Sequence, residues 1–406
     1  MEKKRDIKNA LFLGLLCAIS YLAVYVARNI LSAVTPQMLE GGAFTKEYIG
    51  EVSSLFFIFY AIGQLLNGII GDRIKARYMM SLGLTLAGIT VILFPYIAES
   101  ALGAKAIYSL TGFFLSMIYA PMTKVVAENI VPVYATRCSL GYSLASYLGS
   151  PLAGVFAIIF TWENAFISSG IFLFVMAISC FASLLFLEKR GVVQQGRFER
   201  NRKESKGEGS IKLLIRRGII TFSLISILTG VVRTTVVFWL PTYFNEYLEF
   251  SATKSASIFT IATLAITLTV FVTMFIYELF KRNMDVTILV MFVSATLFFL
   301  GVFLVRQPIL NIIFIVLAII ASNSAATMLW SIYCPSLRDT GMVSSATGFL
   351  TFIGYIGSSA SSYIFAYMVE HTGWKSIVLV WCLLMAIGVI ITLPYKKIIQ
   401  KFKKPC

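Results

Sequence analysis

The sequence predicts an all-α polytopic membrane protein, with twelve transmembrane helices in two pseudo-symmetric six-helix bundles. Three observations lead there. The 406 residues are 58% hydrophobic and 13% charged, and the mean hydropathy of +0.84 exceeds what a water-soluble chain of this length shows. The apolar residues collect in runs of about 20, the length of helix that crosses a hydrocarbon core roughly 30 Å thick. A polar, basic stretch in the middle of the chain leaves six such runs on either side of it.

Bounded by charges or turn signals, the spans are residues 9–34, 47–70, 77–98, 104–128, 137–160, 164–187, 217–244, 252–280, 285–305, 309–333, 342–369 and 374–395. The first follows the basic segment MEKKRDIKNA with no small-residue cleavage pattern behind it, and is expected to be a retained helix rather than a signal peptide. An even number of spans puts both termini on one side. Of the 34 Lys and Arg, 27 lie in the segments on that side and five on the other, so both termini are expected in the cytoplasm, beneath an inner or plasma membrane. The stretch EKRGVVQQGRFERNRKESKGEGSIK is too poor in large apolar residues to build a core, and reads as a cytoplasmic linker. It divides the chain into a bundle at 1–187, a linker at 188–212 and a bundle at 213–406. The loops account for the net charge of +15, so the expected partner is the lipid bilayer and not nucleic acid. Cys17, Cys138, Cys180, Cys334, Cys382 and Cys406 have no metal-ligand spacing and are read as reduced packing residues. No cofactor or metal is expected, and the chain is expected to act as a monomer.

Two basic residues remain, Arg28 and Arg233, each inside the first span of its half. Each precedes a proline, Pro36 or Pro241, by eight residues, about 12 Å of helix. With the prolines marking the outer ends of the spans, both arginines fall near mid-depth. An arginine there costs about 2.5–3.5 kcal/mol even on the lenient insertion scale, and function is the usual reason for it. The structural alternative is a guanidinium that hydrogen-bonds carbonyls of a neighbouring helix or snorkels outward. A repeat axis normal to the membrane keeps equivalent residues at equal depth, so the pair is read as one anion site. Two guanidinium forks suit a phosphate better than a monocarboxylate, because each offers bidentate hydrogen bonds.

The turn after the second span, Gly68-Ile-Ile-Gly71-Asp72-Arg73-Ile-Lys75-Ala-Arg77, carries a glycine and a carboxylate at a spacing that a merely basic loop does not require. It resembles the signature turn of the major facilitator superfamily. That resemblance implies a twelve-helix fold with alternating access, and a gating role for Asp72, Arg73 and Arg77 as a cytoplasmic latch. On the first span, Tyr21, Tyr25 and Arg28 recur at i, i+4 and i+7 and share one helical face; Tyr60 and Gln64 do the same on the second. Together they are expected to line an aqueous cavity, whereas Tyr96 and Tyr243 read as interfacial belt residues.

Tyr21, Tyr25 and Arg28, Arg233 followed by Trp239-Leu-Pro241-Thr-Tyr243, and Gly354-Tyr355-Ile356-Gly357 narrow the resemblance to the organophosphate:phosphate antiporters. It covers nearly the whole chain. It implies that Arg28 and Arg233 clamp a phosphoryl group with Tyr21, Tyr25, Tyr60 and Tyr355 around it. The chain departs from the glycerol-3-phosphate type at Gln64, where that type has a lysine, at Ser146, where it has a histidine, and near Asn323 and Ser324, where it has an aromatic contact. The resemblance implies a small anionic, phosphate-bearing substrate, exchanged for inorganic phosphate.

No nucleophile with a base and no phosphate-binding glycine loop suggests an enzyme. Glu51, Glu128 and Glu278 lie within spans but near their ends, and His371 lies in an outer loop, which favours anion exchange over proton symport. Two other functions stay open: an organic carboxylate transporter of the same fold, and a membrane sensor of sugar phosphates. Small residues on the fifth span (Gly141, Ser146, Gly149, Gly154) and the eleventh (Gly348, Gly354, Gly357, Ser358, Ser361) are expected to allow close helix packing. Pro121 and Pro335 are expected to bend spans four and ten. Lys124 either faces the cytoplasmic mouth or snorkels.

Overall fold

The computed structural model describes residues 2–71, 74–130, 132–194, 211–337 and 343–393. Its elements are helices throughout: α1 Glu2–Glu40, α2 Lys46–Gly71, α3 Ala76–Ile97, α4 Ala101–Leu115, α5 Tyr119–Asn129, α6 Pro132–Ile159, α7 Trp162–Lys189, α8 Ile211–Arg216, α9 Ile219–Glu246, α10 Ala252–Ile266, α11 Thr269–Leu279, α12 Met284–Leu304, α13 Pro308–Met328, α14 Cys334–Ser336, α15 Val343–Thr372 and α16 Trp374–Thr392. Among the described residues, eleven helical spans are long and apolar enough to cross a membrane, and Leu144–Ile159 within α6 is a shorter apolar stretch at the place of the expected fifth span. Together these occupy the twelve expected spans. Span four is built from α4 and α5 with a break at 116–118, one turn before Pro121. Span ten passes through a π-helical turn, Leu329–Tyr333, just before Cys334 and Pro335.

The prolines do not end their helices. Pro36 and Pro241 lie inside α1 and α9, which run on to Glu40 and Glu246. A proline in a helix leaves the carbonyl four residues before it without its amide donor, and membrane helices keep such prolines when a neighbouring side chain re-satisfies the carbonyl. That happens here. The Ser32 hydroxyl of α1 donates to the carbonyls of Phe238 at 2.5 Å and Val237 at 3.3 Å, and Val237 is the residue that Pro241 deprives of a donor.

The chain forms two compact units by contact. The first comprises Met1–Ser205, Thr234–Thr267 and Tyr355–Trp374. Within it α1 packs on α6 and α7, α2 on α4, α3 on α4 and α7, and α6 on α10. The expected small-residue packing is present at Gly149 and Gly154: a Cβ on Gly149 would lie 2.8 Å from the Tyr25 carbonyl carbon, and one on Gly154 would lie 3.1 Å from the Phe259 ring. Among the described residues, Gly141 and Gly348 meet nothing within 4 Å. Where α1 gives way to α2, Lys46 pairs with Glu246 at 3.1 Å, and the Trp374 indole donates to the same carboxylate at 2.9 Å. Tyr243, expected in the interfacial belt, is fully buried here against Trp374 at 5.4 Å, because α9 turns that face into the unit. Tyr96, 73% exposed, lies on the surface as a belt residue does.

The Glu246 contacts allow a graded test. Glu246→Gln keeps an acceptor for the indole and loses only a half-exposed ion pair, so it is expected to unfold within about 1 kcal/mol of the parent. Glu246→Leu strands the indole N–H and is expected to lose roughly 2 kcal/mol. Denaturation in mixed micelles compares the two, and equal losses would show that the ion pair alone matters.

The second unit comprises Lys206–Arg233, Leu268–Gly354 and Lys375–Cys406. Here α13 packs on α11 and α12, Phe222 stacks on Tyr333 at 3.5 Å, and the Ser226 hydroxyl donates to Leu350 O at 2.8 Å. Asn323 and Ser324 are buried, and Ser324 accepts from Thr273 at 2.8 Å. Cys17, Cys138, Cys180, Cys334 and Cys382 are free and buried across the two units.

Candidate functional site

The i, i+4, i+7 face of α1 is realised as a continuous helix, which carries Tyr21, Tyr25 and Arg28 to one side of the first unit. Four aromatic rings surround the Arg28 guanidinium carbon: Tyr25 and Phe57 at 5.3 Å, Tyr60 at 5.0 Å and Tyr355 at 5.2 Å. The rings also support one another, Tyr60 edge-on to Tyr355 at 5.2 Å and Phe57 stacked on Tyr355 at 6.4 Å. Each ring face contributes about 0.5–2 kcal/mol of cation–π attraction, more as water is excluded. Four such contacts offset the cost of placing a charge within an apolar span.

Ring faces satisfy charge without consuming N–H donors. A guanidinium has five N–H bonds in a planar fork. Among the described residues Arg28 donates one hydrogen bond, from Nη1 to the Tyr355 hydroxyl at 3.0 Å, and the side chain remains only half-buried. The arrangement holds the cation in place while leaving the edge of the fork for a planar or tetrahedral anion.

The remaining expected residues take distinct positions. Tyr21 is buried one turn from Tyr25, their rings 5.0 Å apart. Gln64 lies half-buried one turn along α2 from Tyr60. Ser146 lies half-buried on α6, one turn beyond the buried Tyr142. Arg233 lies half-buried on α9 in the second unit. Asp72 and Arg73, the core of the expected latch, lie outside the described residues. Arg77 is buried at the start of α3, where Nη1 donates to Glu188 at 2.8 Å, Nη2 donates to the Tyr78 hydroxyl at 2.6 Å, and the guanidinium packs over Tyr78 and Phe181. It fastens α3 to the end of α7 beside a cavity of about 330 Å³ that Lys124 also lines. Glu51 pairs with Lys105, near the opposite end of α2.

Three residues of this region escaped the sequence reading. Phe57 has no polar atom to mark it, although it precedes Tyr60 by three residues on the same face. Tyr119 stands beside the break before Pro121, where helical phase is lost. Tyr142 precedes Ser146 by one turn, and that periodicity was the available signal.

Residues 17–362 match the family model described as the Major Facilitator Superfamily. Among curated proteins, the glycerol-3-phosphate transporter of Bacillus subtilis is 25% identical over 396 residues, covering 90% of this chain and 86% of that one. The membrane sensor protein UhpC of Salmonella typhimurium is 33% identical over 96 residues, 24% of this chain and only 22% of the sensor's length. The glucose-6-phosphate exchanger SLC37A2 of Bos taurus is 23% identical over 261 residues, 53% of this chain and 52% of the exchanger. Among solved structures, a bacterial homologue of the human lysosomal transporter Spinster, inward-facing and unoccupied, superposes with a TM-score of 0.75 at 13% identity, covering 95% of this chain and 96% of that one. A D-xylose–proton symporter gives 0.73 at 13% identity, covering 94% and 96%. These two likenesses concern the fold.

Proposed function

Because the chain belongs to the Major Facilitator Superfamily, we propose that it is a secondary transporter carrying an organic phosphate by alternating access in exchange for inorganic phosphate. The observation that carries this reading is the Arg28 cage, a guanidinium in an apolar span held by four ring faces and, among the described residues, donating one hydrogen bond. Arg233, at the same eight-residue distance from its proline, is proposed as the second fork, with Tyr21, Tyr25, Tyr60, Gln64, Ser146 and Tyr355 as further binding residues. The bundles 1–187 and 213–406 then rock about the linker, with Asp72, Arg73 and Arg77 as the latch. Both termini are placed in the cytoplasm, beneath an inner or plasma membrane. Relatives named as a glycerol-3-phosphate transporter and a glucose-6-phosphate exchanger support a phosphate ester as cargo.

The test is counterflow of radiolabelled phosphate in proteoliposomes, competed by phosphate esters and by organic carboxylates. Saturable exchange that esters inhibit and carboxylates do not is the expected result. Preferential inhibition by carboxylates would transfer the site to that substrate class. A second reading, a sensor of sugar phosphates, draws on the 33% identity to a membrane sensor, and binding without flux would favour it.

The pH dependence provides a further check. Arginines stay protonated across the physiological range, whereas a phosphate monoester loses its second proton near pH 6. Apparent affinity for a phosphate ester is therefore expected to change between about pH 5 and 7 while affinity for a sulfate ester stays flat. A profile common to both, or accumulation driven by a proton gradient without a counter-anion, would show that a protein group carries the proton. Glu51→Gln would then be the first variant to measure.

A further inference from the structure

The cage accounts for Arg28 but not for the phenols on its terminus side. Tyr21 on α1 lies 5.5 Å from Tyr119 on α5 and 6.3 Å from Tyr142 on α6, and Tyr119 lies 6.4 Å from Tyr142. Three helices thus bring three tyrosines together one to two turns from Arg28. The break between α4 and α5 places Tyr119 at the first position of α5, where its ring is 40% exposed. Tyr21 in turn lies 5.0 Å from Tyr25, one wall of the Arg28 cage, so the cluster adjoins the cage.

The charge inventory of the same layer is sparse. Across residues 9–39, 52–71, 106–123 and 138–159, Arg28 is the one charged side chain in the sequence. A second negative group on a ligand seated here would meet phenols and amides instead of a cation, and an uncompensated buried charge is strongly disfavoured. A neutral polyhydroxylated skeleton fits the same surface. Its C–H faces pack on aromatic rings, and its hydroxyls exchange hydrogen bonds with phenols that both donate and accept.

We propose that Tyr119 and Tyr142, with Tyr21, form the subsite for the uncharged, hydroxylated part of a substrate whose single phosphoryl group is held by the Arg28 and Arg233 forks. This rests on the phosphate reading above. Tyr119 and Tyr142 are then specificity-determining residues: they contact the organic moiety and leave inorganic phosphate untouched. Phosphorylated carboxylates are discriminated against, because with both guanidinium forks on the phosphoryl group no further cation of these helices faces a second negative group.

The experiment measures self-exchange of labelled inorganic phosphate in proteoliposomes, with hexose 6-phosphate, glycerol 3-phosphate and 3-phosphoglycerate as competitors. In the unaltered protein, 3-phosphoglycerate is expected to compete at least about tenfold less well than glycerol 3-phosphate, since a buried group left unpaired costs that much or more. Tyr119→Phe and Tyr142→Phe, which keep the rings, are expected to hold phosphate self-exchange within about twofold while hexose 6-phosphate competes roughly tenfold less well. Tyr119→Ala and Tyr142→Ala are expected to widen that gap; where they abolish exchange altogether, the phenylalanine pair decides. Equal losses for phosphate and hexose phosphate in the phenylalanine variants would reduce the tyrosines to packing residues and overturn the subsite. Equal competition by 3-phosphoglycerate and glycerol 3-phosphate would overturn the charge argument. Absence of phosphate exchange in the unaltered protein would sink the transport reading itself, a result obtained before any variant is made.

Discussion

Arg28→Ala and Arg233→Ala are each expected to reduce phosphate exchange by more than about 100-fold, since a charge-assisted hydrogen bond contributes roughly 1.5–3 kcal/mol and a bidentate fork makes two. Arg28→Lys is expected to recover little. A lysine supplies a point charge without the planar fork that four rings sandwich and that donates to Tyr355, and its smaller head leaves the cage underfilled. Stability is expected to change much less: Arg28→Ala removes the roughly 2.5–3.5 kcal/mol cost of inserting the charge together with the four ring contacts, about 0.5–2 kcal/mol each, that offset it. Exchange at the parental rate in Arg28→Lys would mean that the fork does not touch the anion. Loss of exchange together with early unfolding would recast Arg28 as structural.

Gly149→Val should cost the protein its activity by a different route. An added Cβ at Gly149 meets the backbone of Tyr25, at 2.8 Å from its carbonyl carbon and 3.0 Å from its Cα. Backbone cannot rotate away as a side-chain tip can, so α1 and α6 must separate. Overpacking of this kind typically costs 1–3 kcal/mol, and a β-branched group against main chain belongs at the upper end of that range or above it. Because Tyr25 is one wall of the Arg28 cage, the displacement reaches the site. Lower thermal stability and a loss of exchange of roughly tenfold or more are expected together. Gly141→Ala on the same helix, with nothing within 4 Å of its added carbon, should be neutral, and measuring both in one preparation separates contact from composition. Parental stability in Gly149→Val would show that the α1–α6 crossing is looser than described.

What could be read in advance was what local chemistry makes unambiguous. Runs of about 20 apolar residues cross a membrane because backbone polar groups have no other way to be satisfied in hydrocarbon, and that rule placed the spans and identified the fold class. A charge among apolar residues is conspicuous for the same reason, which is why Arg28 and Arg233 stood out, and the helical period put Tyr21 and Tyr25 on the Arg28 face. Tertiary structure decided the rest. A proline in the sequence looks like a helix end, but Pro36 and Pro241 both lie inside helices, and at Pro241 the carbonyl left open, that of Val237, is met by the hydroxyl of Ser32, 205 residues away. Tyr243 looks like a belt residue until its neighbour is known to be Trp374, against which it is buried. Phe57 carries no mark of a binding residue, and its role as a face of the cage follows only from the approach of α2 to α1. Aromatic rings act on a cation through distance and orientation, and those are properties of how helices pack, not of the order of residues along them.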